Sequence, residues 1–164
     1  KNNDDSSSST ATPEELVKVE NGTLTVNSTV TELTADMLAD IDLTGVTTLD
    51  LRGSNVTSIA TGNLSSDSSW RNKLKEVHLG SETGTIGGSA FRSCHVLETV
   101  TGTPTVIGHS AFVGCKKLTT IDLSKTTSIG PGAFLDCKSL KSVNVCNVQT
   151  IEMAVFSNCT SLQD

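Results

Sequence analysis

The sequence predicts an α/β repeat fold, a right-handed solenoid in which each coil contributes one short parallel strand and one short helix or turn. Blocks of the same residue types recur at steps of 21, 22 and 22 residues, and apolar and polar residues alternate after the first three of them. The chain has one Trp, four Phe and no Tyr, so large aromatic side chains cannot fill a globular core. Repeats of this length are typical of solenoids, because one coil cannot bury its own apolar face without its neighbours.

The repeat assigns a role to each position in a coil. Every block starts with Ile, has Phe five residues later, Cys three residues after that, and Leu after three more. The Phe side chains are predicted to fill the space between the layers of the solenoid. The four blocks are Ile86–Leu97, Ile107–Leu118, Ile129–Leu140 and Ile151–Leu162.

The strand prediction rests on the residues that follow each block. Ile121 and Leu123 alternate with polar residues, so they should point into the core while Thr120 and Asp122 point outward. Looser copies begin at residues 30 and 56, and residues 24–26 are a candidate initial strand. The predicted domain is therefore a solenoid of about six coils over residues 20–164, with irregular first coils and an incomplete last one.

Residues 1–19 are predicted to be a disordered polar lead, because they open with a low-complexity run of Asn, Asp and Ser. Two interpretations stay open: a tether left after removal of an export signal, or an arbitrary start of the chain.

The pattern Ile-Gly-x-x-Ala-Phe-x-x-Cys-x-x-Leu-x-x-Ile/Val-x-Leu/Val resembles the BspA-like class of leucine-rich repeats. The likeness is specific over residues 86–162 and looser over 30–85, and Glu152 departs from it at the Gly position. It implies a leucine-rich-repeat solenoid with a parallel sheet on one face. It also implies an exported bacterial surface protein that takes part in adhesion or host-protein recognition, and the family has no catalytic motif to carry over.

Four cysteines share one position of the repeat: Cys94, Cys115, Cys137 and Cys159. The favoured interpretation is a column of buried free thiols. Disulfides between neighbouring coils are the main alternative, and a zinc site is disfavoured because no CxxC pair exists. Cys146 lies outside the column and is expected on the exposed sheet face.

No catalytic motif, metal motif or cofactor fingerprint is present, so the chain is predicted not to be an enzyme and to use no cofactor. His78 is the one residue with a chemical alternative. Strand parity places it beside Glu76 and one coil from Asp50, a grouping that could form a weak metal or acid–base site. A solvated polar face is the simpler interpretation.

The outer face of the sheet is the candidate binding surface. It is polar and lacks the aromatic residues that dominate protein-binding hot spots, which argues against high affinity. A second candidate is a contact loop at Trp70 and Arg71, although burial of Trp70 as a cap is an alternative. The candidate residues on the face are Asp50, Arg52, Glu76, His78, Thr99, Thr101, Thr120, Asp122, Ser142 and Asn144.

The predicted partner is a protein or glycan at a cell surface or in the extracellular matrix. The net charge of −6 with scattered acidic residues gives no support for a nucleic-acid partner, and no run of 18 apolar residues could span a membrane. A lipid anchor upstream of Lys1 and edge-to-edge pairing of two copies are further expectations. The alternative function is a structural spacer that presents another domain at the cell surface.

Overall fold

The computed structural model describes residues 11–64 and 67–163. Successive coils place short strands in two five-stranded sheets, here called sheet A and sheet B. The strands are β1 (Val17–Glu20), β2 (Thr23–Val26), β3 (Glu32–Leu33), β4 (Thr48–Asp50), β5 (Ser58–Ile59), β6 (Glu76–His78), β7 (Thr85–Ile86), β8 (Thr99–Thr101), β9 (Val106–Ile107) and β10 (Ser128–Ile129).

Sheet A contains the parallel strand predicted after each block. Its order is β1-β2-β4-β6-β8, and all pairs from β2 onward are parallel. Parallel bridges from Thr99 to Thr120 and from Thr120 to Ser142 continue the sheet into the later coils. Ile121 and Leu123 are buried at 4% and 0% exposure, which confirms their predicted inward direction.

Sheet B was not predicted. Its order is β10-β9-β7-β5-β3, all parallel, and a bridge from Ile129 to Ile151 extends it. Its strands have only two residues each. In β7, β9 and β10 the second residue is the Ile that starts a repeat block. Each regular coil therefore contributes to two sheets rather than one, and the leading Ile residues form a second wall of the core.

The chain is ordered earlier than the sequence analysis expects. Helix α1 (Pro13–Leu16) and strand β1 lie in the second half of the segment 1–19, which is predicted above to be a disordered lead. Residues 1–10 of that segment lie outside the described residues. Strand β1 pairs antiparallel with β2 through a two-residue turn at Asn21 and Gly22, whose φ values are 50° and 76°. Asn-Gly is the preferred pair for this tight hairpin, because both residues tolerate positive φ. Strand β1 therefore covers the outer edge of β2, the first strand of the parallel part of sheet A.

The segment around each Phe forms tight turns rather than a helix. Residues two before and two after the Phe have positive φ, for example Ser110 at 55° and Gly114 at 73° around Phe112. A left-handed residue ends a right-handed helix, so no helical run can pass through the Phe. The described helices are α1, which precedes the coils, and a 3₁₀ turn at Asp36–Leu38 and α2 (Ser68–Arg71), which lie in the irregular first coils.

The core lies between the two sheets and is continuous along the stack. Phe91, Phe112 and Phe134 are at most 1% exposed, and their rings stack nearly parallel with centroids 5.5 and 5.2 Å apart. Phe156 continues the stack at 5.6 Å but is only half-buried. The predicted Phe column is confirmed.

Candidate functional site

The outer face of sheet A brings the predicted binding residues into register. Strand pairing aligns Asp50 with His78 and His78 with Thr101 in one row. A neighbouring row aligns Glu76 with Thr99, and the parallel bridges continue this row to Thr120 and Ser142. These rows follow from the alternation of side chains along each strand, since every second residue of a parallel ladder reaches the same face.

His78 lies at the centre of a small hydrogen-bonded group. Its Nδ1 is 2.9 Å from the hydroxyl oxygen of Thr101 in the next coil, and its Nε2 is 3.1 Å from a carboxylate oxygen of Glu76. The His78 side chain is only 15% exposed, whereas that of Glu76 is 51% exposed. The imidazole is therefore held in place by both neighbours and presents little free surface to a ligand.

Asp50 pairs with Arg52 rather than with His78. The Arg52 guanidinium donates through Nε and one Nη at 2.9 and 2.7 Å, and the Arg52 backbone N–H donates to the same carboxylate at 3.0 Å. The hydrogen bond from Arg52 is the main reason that the pKa of Asp50 lies below its usual value. The expected grouping of Asp50, Glu76 and His78 thus consists of an ion pair between Asp50 and Arg52 and a hydrogen bond between His78 and Glu76.

The later acidic and amide residues of the face stabilise their own turns. Asp122 accepts a hydrogen bond from the backbone N–H of Ser124 at 2.9 Å, and Asn144 accepts one from Cys146 at 3.1 Å. Such Asx turns end a strand and direct the chain away from the sheet. Hydrogen bonding with Ser124 lowers the pKa of Asp122, so this carboxylate is charged at neutral pH.

The contact loop at Trp70 and Arg71 does not have the predicted form. Trp70 is 1% exposed and belongs to the core, so the alternative interpretation, burial as a cap, is the correct one. This coil has Leu64 at the position of the regular Phe, five residues after Ile59, and both Leu64 and Trp70 are buried in its core. Arg71 is half-buried beside Trp70.

Arg71 occupies the cysteine position of its coil. It lies three residues before Leu74, the same spacing that separates Cys94 from Leu97 in the next coil. Strand register supports this equivalence, because Glu76 pairs with Thr99. An arginine therefore stands at the head of the cysteine column, and its Nε is buried with no hydrogen-bond partner. The spacing back from Leu74 was the signal that could have revealed it.

Within residues 11–64 and 67–163, no group of three or more His, Cys, Asp or Glu side chains could hold a metal ion. No helix in the same residues combines the length and apolar character needed to cross a bilayer.

Solved structures with the same architecture come from bacterial repeat proteins. A leucine rich cell surface protein from Faecalibacterium prausnitzii is 25% identical with a TM-score of 0.62, and the match covers 89% of this chain and 35% of that one. The leucine-rich repeat protein of T. pallidum is 23% identical with a TM-score of 0.70, over 87% of this chain and 67% of that one. A leucine-rich repeat protein from Eubacterium ventriosum is 24% identical with a TM-score of 0.67, over 88% of this chain and 38% of that one.

This chain therefore spans about a third of the length of the F. prausnitzii protein. No curated protein matches it. The profile of the BspA type leucine rich repeat region matches six copies, over residues 18–105 and 54–163. These two ranges contain every strand of sheets A and B except the first residue of β1. The stacked coils are thus BspA-type repeats, and the chain belongs to the BspA-type leucine-rich repeat family.

Proposed function

We propose that this chain is a non-catalytic binding module of an exported surface protein, and that a protein ligand binds to the outer face of sheet A. The observation that carries the proposal is the continuous ladder of polar side chains, from Asp50 through His78 to Thr101, held at strand spacing. Sheet faces of this kind offer an extended surface on which many weak contacts add up. The similarity to a cell surface protein of F. prausnitzii supports the location.

The side chains left free for a ligand are mainly hydroxyls. Asp50, Asp122 and Asn144 already accept hydrogen bonds from their own turns, and His78 contacts Glu76 and Thr101. Thr120, Ser142 and Arg52 are exposed. A face of hydroxyls without aromatic anchors favours a modest affinity and repeated attachment over one tight contact.

The test is a binding array of extracellular-matrix proteins and glycans, probed with the wild-type chain and with two variants that add arginine to different faces. The double variant Thr101→Arg/Thr120→Arg places bulk on the outer face of sheet A. Ser128→Arg places a similar side chain on the exposed side of sheet B. Loss of binding in the first variant alone supports the proposal. Equal binding by all three proteins contradicts the assignment of the face, and no binding to any protein contradicts protein recognition.

A structural spacer is the second candidate function, and one observation favours it. The acidic and amide groups of the middle row stabilise turns of the solenoid instead of standing free. A spacer would show no specific partner in the array, and its variants on the face would behave like the wild type.

Pairing of two copies through the last coil is a further part of the proposal. Ile151 is 50% exposed and Met153 is 82% exposed at this end of the stack. Exposed apolar side chains beside an unpaired strand edge favour association. Sedimentation should then show a concentration-dependent dimer that Met153→Lys weakens, and a monomer at all concentrations would contradict pairing.

A further inference from the structure

The side of the solenoid that leads into sheet A carries most of the positive charge of an otherwise acidic chain. Eight of the twelve Lys and Arg residues lie in the turns around the cysteine position and before the following strand. We call this surface the basic ridge. Its basic residues are Arg71, Lys73, Lys75, Arg92, Lys116, Lys117, Lys138 and Lys141, all exposed except the half-buried Arg71.

The repeat places two of these charges, Lys116 and Lys138, at the same position of adjacent coils. Lys116 and Lys138 each follow a cysteine of the column directly, as His95 does in the coil before. Backbone hydrogen bonds hold these segments in register, and the bond from the Glu98 N–H to the Lys75 carbonyl oxygen at 2.9 Å places one carboxylate beside Lys75. Neighbouring coils are about 4.8 Å apart, so the charges of adjacent coils lie close together.

The ridge has little internal compensation for this charge. The ion pairs found in the described part of the chain join Lys18 with Glu20 and Arg52 with Asp50, and neither of them lies on the ridge. Three carboxylates lie near the ridge: Glu98 and Asp136 in the same turns, and Asp67 at the start of α2, which interacts electrostatically with Lys73 and Arg71. Like charges in adjacent positions of a ladder repel each other, so an external anion would stabilise this surface.

One end of the ridge contains a cleft suited to an oxyanion. The cleft has a volume of about 170 Å³ and is lined by Ser68, Arg71, Asn72, Ser93 and His95, with no carboxylate among them. The Nε of Arg71 is buried without an acceptor. His95 donates from Nδ1 to the Gly114 carbonyl oxygen at 3.0 Å, which orients the ring. Guanidinium, amide and hydroxyl donors around a small cleft are the groups that bind sulfate or carboxylate.

The lack of exposed aromatic rings beside the ridge indicates which class of polyanion it binds. Nucleic-acid grooves combine basic residues with exposed aromatic rings that stack on bases. Here Trp70 and the Phe rings from Phe91 to Phe134 are buried, and the chain has no Tyr. A cluster of cations without exposed aromatic rings beside it fits a polymer whose charges lie on its outside.

We propose that the basic ridge binds an acidic polysaccharide, and that the cleft at Arg71 receives one of its sulfate or carboxylate groups. The net charge of −6 does not prevent this, since charges beyond about 8 Å are largely screened at physiological salt. The ridge lies beside sheet A rather than on its outer face, so the inference does not depend on the function proposed for that face.

The test measures binding of the whole chain to heparin as the sulfated probe and to polygalacturonate as the carboxylated probe, with neutral dextran as the blank. The double variant Lys116→Gln/Lys138→Gln removes two exposed charges from the ridge. Lys18→Gln/Lys125→Gln removes two exposed charges elsewhere and is the matched control. The ridge variant should bind about three- to tenfold more weakly at about 0.15 M salt, as expected for loss of two exposed ion pairs, and the control should be unchanged.

Two further variants test the role of the cleft and the effect of a negative charge on the ridge. Arg71→Met should weaken binding to at least one of the two acidic probes, and the probe affected shows whether the cleft prefers sulfate or carboxylate. Glu98→Gln removes a carboxylate from the ridge and should strengthen binding. Equal weakening by the ridge and control variants, no binding to either acidic polysaccharide, or tighter binding to single-stranded DNA would overturn the proposal.

Discussion

Cys137 donates its thiol hydrogen to the backbone carbonyl oxygen of Phe112 in the preceding coil, with an Sγ to oxygen distance of 3.2 Å. Cys115 and Cys159 make the same contact with the carbonyl oxygens of Phe91 and Phe134, at 3.2 and 3.1 Å. The thiols therefore point towards backbone oxygens rather than towards each other. All five cysteines are free, and the column is buried except for the half-buried Cys159.

Thiol reactivity should divide the cysteines into two groups. Burial raises the pKa of Cys94 and of Cys137 to about 12, so little reactive thiolate forms at neutral pH. Cys146 is exposed and should be labelled rapidly by a thiol reagent in the native protein. Labelling in denaturant without reductant should reach all five thiols. Three or one labelled thiols would indicate disulfides in the column.

Stability should fall at alkaline pH because of the same cysteines. The folded chain keeps Cys94 and Cys137 protonated up to about pH 12, whereas an unfolded thiol loses its proton near 9.0. Their contribution to the free energy of unfolding is complete below pH 9.0 and decreases between pH 9.0 and about 12. Urea unfolding at several pH values measures this slope. Cys137→Ser keeps a donor for Phe112 but does not titrate, so its slope should be shallower, and an unchanged slope would contradict the assignment.

Truncation of the Phe stack should depend on position. Phe134→Ala removes a fully buried ring with a stacked neighbour on each side and should lower the free energy of unfolding by about 3–5 kcal/mol. Phe156→Ala at the half-buried end of the stack should cost about 2 kcal/mol. Equal costs in urea titrations would mean that the last coil is covered in solution.

Replacement of Arg71 should not destabilise the fold. Its Nε is buried without a partner, and an unsatisfied donor costs about 1–3 kcal/mol. Arg71→Met keeps the apolar stem, so the free energy of unfolding should stay the same or rise by about 1 kcal/mol. Lys73→Met is the control, because Lys73 donates to the Thr44 carbonyl oxygen at 2.7 Å and its loss should lower stability slightly. A large loss in Arg71→Met would show that the arginine has a structural partner.

The sequence predicts the parts of the fold that repeat over several residues. The Ile, Phe, Cys and Leu positions recur often enough to assign the inward side chains and the strands of sheet A. Sheet B has strands of two residues, such as Ser128–Ile129, and two residues are too few to show an alternating pattern. The left-handed turns are also hidden, because Ser110 and Asp136 adopt positive φ without the glycine that normally indicates it. The hairpin had a clear signal in Asn21-Gly22 that the polar start of the chain obscured.

The sequence predicts which residues lie on the candidate face but not which hydrogen bonds they form. Strand parity placed Asp50, Glu76 and His78 on one surface. It could not show that Asp50 pairs with Arg52 two residues later, because rotamers decide between neighbours at similar distances. The polar neighbours of Trp70 left two interpretations open, a contact loop and burial as a cap, and the structure buries the ring in the core.

The antiparallel hairpin of β1 and β2 makes the two ends of the stack unequal. At the first end, opening a coil breaks the contact with the next coil and also the hairpin that covers it. At the other end of residues 11–163, where Met153 is 82% exposed, opening the coil in this 164-residue chain breaks one contact only. In a linear array with coupling between nearest neighbours, such a difference gives local opening a direction. Amide hydrogen exchange should therefore be fastest in the coil around Ile151 and become progressively slower towards β4. Local unfolding then starts at the coil around Ile151 and proceeds coil by coil towards the hairpin.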